Sequence, residues 1–387
     1  MIYLFFIIIG AFFSFCEYNG VFKNKKAHEI VGYYFLLILF ICFAGIRYRV
    51  GGDTLAYIKY FDEMPTVDEL ASIDYLNSEY NPLWYVLNAI IKFIYNDFIF
   101  FQIVHAVIIN TSIFYFFKKY SPNNKFTLVF FYFLFYYLYF NTEILRESLA
   151  LSAFVLGYKY LLKKKWKQYY VLCIFCFLIH TSAIILFVLP FLQRKIKLIY
   201  LISIALFLAL MGSINLVELI KSFNLPTQII LKSRSYLGRE INIFGMLMQT
   251  VVVMPIIIVH LVRKKYKMRE HIFEKNVLPF VYFGILSLFI GGFYRFLNYL
   301  YIINLVYFVD TLMLVSKQRF YFGPRVYMKF SMMFFFIYYG YFYMRDTSEY
   351  EPHTRFYNRY YPYHSIIDPK REVKRENAYY KMMNLNW

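Results

Sequence analysis

Ten apolar segments, separated by short polar runs, constrain this chain more than any other feature. They lie at about 1–18, 30–46, 98–117, 126–142, 147–162, 196–212, 243–262, 277–293, 296–315 and 326–344. Each is near the ~20 residues with which a helix crosses a bilayer core. Two further stretches are irregular. Residues 83–95 form a short apolar piece closed by Asn96 and Asp97, and 169–192 is apolar but carries His180, Thr181 and Ser182 at its centre. Composition agrees: 42 Tyr and 46 Phe outnumber the 65 charged residues. Such a chain cannot cover its apolar surface in water. A soluble enzyme, a disordered chain and a secreted disulfide scaffold are excluded. The expectation is an all-α, polytopic integral membrane protein with about 10–12 transmembrane or re-entrant helices.

The net charge of +19 does not point to nucleic acid. The bases come in short runs between apolar segments: Lys23, Lys25 and Lys26; Lys118 and Lys119; Lys163 to Lys165; Arg194, Lys195 and Lys197; Arg263 to Lys267. That is the pattern of cytoplasmic loops. Residues 47–82 instead hold seven acids against three bases and are expected outside, as is the loop at 213–242. All basic runs fall inside if 83–117 makes one broken crossing and 169–192 dips in and returns. Irregular backbone at that depth needs protein or a polar cavity around it. On this count the chain is one transmembrane domain over 1–344 with a polar outer tail at 345–387. Met1 to Phe15 lacks a basic leader and reads as a retained first helix. Cys16, Cys42, Cys173 and Cys176 all lie in apolar segments, and Cys173-x-x-Cys176 has no second pair to complete a zinc site.

This topology brings Arg47, Arg49, Asp53, Glu79, Glu143, Arg146, Glu147, His180, Arg295, Arg355, Tyr363 and His364 to the outer face. Arginine at membrane depth costs at least ~2.5–3.5 kcal/mol and persists when a partner offsets it. Its fork suits phosphate. Arg47, Arg146 and Arg295 at helix ends therefore read as ligands for an anionic lipid headgroup, a diphosphate matching all three. Asp53 follows Gly51-Gly52 on a turn. No phosphate-cradling glycine motif is present and no metal-ligand spacing, so neither metal nor cofactor is expected.

The segment Gly45-Ile46-Arg47-Tyr48-Arg49-Val50-Gly51-Gly52-Asp53-Thr54, with Tyr57 and Phe61, resembles the R-x-x-x-G-x-D-x-x-x-Y signature of the EpsG-like, Wzy-type polymerases of bacterial surface polysaccharide. Glu79 before an aromatic short helix, Arg146 before a small-residue helix, His180-Thr181-Ser182-Ala183 and Pro362-Tyr363 follow the family in order. The family often has Arg-Gln where this chain has Arg146-Glu147, and a small residue and Thr where it has Gly51-Gly52. The resemblance implies a multi-pass protein of the bacterial cytoplasmic membrane. Such a protein joins undecaprenyl-diphosphate-linked oligosaccharide repeats at the outer face, working with a flippase and a chain-length regulator. Its implied substrate contacts are Arg47, Arg49, Tyr57, Arg146, Ser182, Arg295 and Tyr363. Asp53 is the leading candidate base, ahead of Glu79 and His180. Three rivals use some of the same features: a membrane-bound O-acyltransferase with an intramembrane His base, a lipid-linked oligosaccharide flippase, and a ligase that differs only in its acceptor.

Overall fold

In the computed structural model, the described residues are 1–75, 77–194, 243–289, 291–317, 322–349 and 351–382. The expected span at 196–212 and outer loop at 213–242 lie outside them. No strand occurs among the described residues, which are joined outside the helices by isolated bridges alone. The chain is an all-α polytopic membrane protein. Its helices are α1 (Ile2–Tyr18), α2 (Lys26–Gly45), α3 (Thr54–Glu63), α4 (Pro82–Ile94), α5 (Phe98–Tyr120), α6 (Lys125–Tyr132), α7 (Leu145–Leu162), α8 (Trp166–Ile179) and α9 (Ile185–Leu192). After the undescribed stretch come α10 (Ile243–Lys265), α11 (Val277–Phe289), α12 (Tyr294–Lys317), α13 (Phe322–Met344) and α14 (Val373–Met382). Contacts divide the chain into two compact units, residues 1–71, 83–156 and 339–387, and residues 72–82 and 157–338. The residues after 344 belong to the first unit.

In the first unit, α2 supplies the axis. Its 20 residues rise about 30 Å, the thickness of a bilayer core. Its two ends differ in chemistry. At the Lys26 end, Lys125 Nζ pairs with Glu29 at 2.5 Å. There Glu17, from the last turn of α1, accepts from the N–H groups of Phe126 and Thr127, both at 2.9 Å. A carboxylate thus covers the exposed donors at the start of α6, where the helix dipole favours negative charge. At the Gly45 end sit the signature loop, the last turns of α6 and the tail. Helix α5 packs antiparallel along α2: Tyr33 donates to Phe114 O at one end and Gln102 to Gly45 O at the other.

Helix α6 continues through two π turns, Phe133–Tyr137 and Tyr139–Glu143. Asn141, Thr142 and Glu143, in the second of them, are all buried. Helix α4 departs from the expected broken crossing. The Trp84 and Phe101 rings meet at 5.5 Å, whereas 17 residues of straight helix would separate them by about 25 Å. So α4 folds back on the start of α5, and Lys92 ties it to the carbonyls of Asp62 and Met64. With 13 residues it is too short to span.

In the second unit the apolar stretch at 169–192 breaks at His180. Tyr169 Oη donates to Leu186 O at 2.6 Å, and the Tyr170 and Phe187 rings lie 6.2 Å apart. These contacts require α9 to fold back along α8. The cap carboxylate of α6 generates a stability prediction. Glu17→Ala should lower stability by about 1–3 kcal/mol, the range for hydrogen bonds to a charged group. It is read as a lower Tm in detergent, with Glu17→Gln intermediate; an unchanged Tm for the alanine variant contradicts the cap.

Candidate functional site

The signature loop at 46–53 follows α2 and is held from four directions. The tail pairs with its first half: Tyr48 N–H donates to His364 O at 2.8 Å, and Ile366 N–H to Ile46 O at 2.9 Å. Gly51 N–H donates to Arg359 O at 2.9 Å. From α5, Gln102 donates to the carbonyls of Gly45 and Arg47. From the π turn of α6, Glu143 accepts from Gly52 N–H at 2.5 Å.

Both glycines are required by this packing. Gly51 has φ +119°, outside the range of other residues, and a Cβ there would meet Thr54 and Thr142. A Cβ on Gly52 would run into Arg359 Nη1 and lie 2.5 Å from Glu143 Oε2. The departure from the family's small-residue-Thr pair is thus matched to a close approach by Glu143 and Arg359.

Arg47 is not at a surface. It is 1% exposed. Its side chain turns back under the loop, Nη1 donating to Ala44 O and Nε to Val50 O. It therefore covers the last carbonyls of α2, where a helix favours positive charge. Burial pushes its pKa down to about 10, countered by Tyr137, Tyr363, Glu143 and Tyr3, so it stays protonated at neutral pH. Arg49 is also committed. Its guanidinium forms a fork with Glu376 of α14 at 2.5 and 2.6 Å, which raises its pKa. Its backbone has φ 55°, a conformation that costs of order 1–3 kcal/mol outside glycine. That conformation is held at both ends, by Glu376 on the side chain and by Arg375 Nη1 on the carbonyl at 2.9 Å. Both guanidinium groups thus have structural partners within the chain. A sequence shows neither a helix end's carbonyls nor an acid 327 residues away.

Tyr57 and Tyr363 are likewise packed in. Tyr57 is buried with its ring 6.2 Å from Trp84. Tyr363 donates to Phe43 O at 2.9 Å and stacks at 4.7 Å on the Phe43 ring. Asp53 stands differently. It occupies the N-cap position of α3 without capping it through its side chain, and it is partly exposed. Beside it Glu143 has both oxygens engaged, Oε1 by Gly52 N–H and Oε2 by Arg359 at 3.4 Å. Arg146 lies in the first turn of α7, next to the buried Glu147. Loop 46–53, Glu143 and the tail thus meet in the first unit. Arg359, Arg375 and Glu376 were missed in the sequence; their only signal was the density of charge after residue 344.

The second unit holds Glu79, His180, Ser182 and Arg295. Glu79 is exposed in the segment before α4. Arg295 is in the first turn of α12. His180 is buried at the break between α8 and the short 3-10 turn Thr181–Ile184. Its Nδ1 accepts from Ser182 N–H at 3.2 Å and lies 2.6 Å from Ser182 Oγ, which is 3.0 Å from Tyr299 Oη. An Nδ1 that accepts from a backbone amide places the neutral ring's proton on Nε2. His180 is then a hydrogen-bond donor at Nε2, and its service as a base would uncap the turn.

A family model described as EpsG matches residues 30–365, from the second helix into the tail. The chain belongs to the EpsG family. Membership makes it a multi-pass membrane protein of polysaccharide-polymerase type. No curated protein and no solved structure matches it. Within this EpsG-family chain the signature loop's glycines and arginines build the loop, and Asp53 is the signature residue left at its rim.

The Arg49–Glu376 fork is testable on its own. Glu376 is 1% exposed, so removing Arg49 strands a buried carboxylate. Arg49→Ala and Glu376→Ala should each cost about 3–5 kcal/mol, and Arg49→Met with Glu376→Leu much less than their sum. Strictly additive losses in denaturant or thermal unfolding would show that the pair is not coupled.

Proposed function

We propose that this chain polymerises undecaprenyl-diphosphate-linked oligosaccharide repeat units into a surface polysaccharide at the outer face of the bacterial cytoplasmic membrane. The observation that carries this reading is the built signature loop, in which Glu143 and Arg359 fix Gly52 and leave Asp53 partly exposed beside it. Family membership supplies the reaction class.

In this reading the acceptor repeat presents a sugar hydroxyl to Asp53. The carboxylate takes the hydroxyl proton as the oxygen attacks the anomeric carbon of the donor chain. The bond from that carbon to the diphosphate breaks, and undecaprenyl diphosphate leaves with the electron pair. Arg146 and Arg295, each in the first turn of a helix, are the proposed diphosphate contacts. There a guanidinium and exposed backbone N–H groups favour the same anion. Arg47 acts as a residue that positions the loop. Glu143 is a positioning residue too, since both its oxygens are already occupied. A flippase and a chain-length regulator are the expected partners, the first supplying substrate outside and the second setting length.

Asp53→Asn should lower polymerisation of a synthetic lipid-linked repeat by about 10²–10⁴-fold, the usual contribution of a general base. Lipid-linked substrate should still bind. Full polymerisation by Asp53→Asn would transfer the role to Glu79. Full-length polymer made elsewhere and retained on lipid in a strain lacking the gene would instead identify a ligase, and repeats trapped inside would identify a flippase.

A further inference from the structure

The docked tail forms a cleft that the reaction scheme above does not use. Its charged lining is Arg355, Arg359, Lys374 and Arg375; no carboxylate lines it. Ala378, Tyr379 and Met382 of α14 give it a carbon floor, and Gly52 of the signature loop completes its wall. The cleft is shallow and open to solvent, with an enclosed volume of about 40 Å³.

The local acids leave this positive charge largely in place. Glu143 is shared between Arg359 and Gly52. Asp346 lies 3.7 Å from Arg355, but both partners are more than half exposed, and such a pair contributes little. Glu376 is taken by the fork with Arg49, and Glu351 pairs with Lys381 at 2.7 Å. Arg375 is 5% exposed, and its three nitrogens donate to the carbonyls of Arg49, Pro362 and Asn358. Among the described residues neither Arg375 nor Lys374 has an acid within ion-pair distance. A buried cation without a paired anion is costly, and a bound anion would offset that cost.

The lining also discriminates between anions. A bare phosphate is best held by converging backbone amides. Here the amides of Gly51 and Gly52 already donate to Arg359 O and Glu143. What the cleft offers is cationic side chains over an aromatic and aliphatic floor, a surface that fits the carbon face of a sugar ring bearing an acidic group. We propose that this cleft binds an anionic sugar, so that the glycan handled by this chain carries a carboxylate or phosphate substituent. The inference rests on the polymerase reading and names its substrate class. Because Gly52 adjoins Asp53, a sugar seated in the cleft leaves its neighbour along the glycan beside the candidate base.

The test is calorimetric titration of the full-length protein in detergent. The probes are a tetrasaccharide containing glucuronic acid, its carboxyl-reduced counterpart and inorganic phosphate. The acidic saccharide should bind at least tenfold more tightly than the reduced one. Lys374→Glu, at an exposed residue that makes no hydrogen bond in the described structure, should weaken it at least tenfold, and Arg355→Gln should weaken it in the same direction. A sugar phosphate in place of the uronate should bind comparably. Equal binding of the reduced saccharide, or unchanged binding by Lys374→Glu, overturns the proposal. So does displacement of the saccharide by equimolar phosphate or by vesicles containing phosphatidylglycerol, which would make the cleft a simple anion or headgroup site. Binding needs no turnover, so failure here is distinct from retained polymerisation by Asp53→Asn.

Discussion

The docking of the tail onto the signature loop is the interaction on which the rest of the first unit depends. A left-handed Arg49, a glycine with positive φ and a glycine with no room for a side chain follow one another in that loop. For Arg49 this backbone is costly by itself, and the two glycines admit no side chain. They are held because Arg49 forks to Glu376, Arg375 spans three carbonyls, and Glu143 meets Gly52 and Arg359 at once. The polar residues after 344 are thus the other half of a structure begun at residue 45.

This arrangement explains why a membrane protein carries so much buried polarity at one end of its helices. Asn141, Thr142 and Glu143 are buried in the second π turn of α6. Gln102 and Arg47 tie off carbonyls at the end of α2. Each polar group answers a backbone group that would otherwise face an apolar interior. The result is a rigid rim at which Asp53 is partly exposed. Rigid elements place reacting groups better than free loops do, and the signature's conservative-looking glycines serve that placement.

Much of this was legible in the sequence, for physical reasons. Helices such as α2, α5 and α12 follow from apolar runs of membrane length, and the break at His180 from three polar residues in a row. The signature loop announced itself through residue types that few other motifs share. What stayed hidden depended on contacts between distant segments. The sequence displays neither the carbonyls of Ala44 and Val50 that Arg47 meets nor the carboxylate of Glu376 that Arg49 meets. Helix α4 looked like half a crossing because hydropathy does not show that Trp84 returns to Phe101. The tail looked solvated because eight bases and six acids read as surface until their partners are seen. The bond from Ser182 N–H to His180 Nδ1 could not be read from the sequence either.

The central claim is that the signature loop and the tail share the outer face, where the polymer is made. Impermeant thiol labelling of intact cells tests it most directly, using single cysteines at positions 53, 371 and 165 in a chain without its native Cys16, Cys42, Cys173 and Cys176. The account predicts labelling at 53 and 371 and none at 165 until the membrane is opened. Labelling at 165 in intact cells, with 53 and 371 protected, would contradict it.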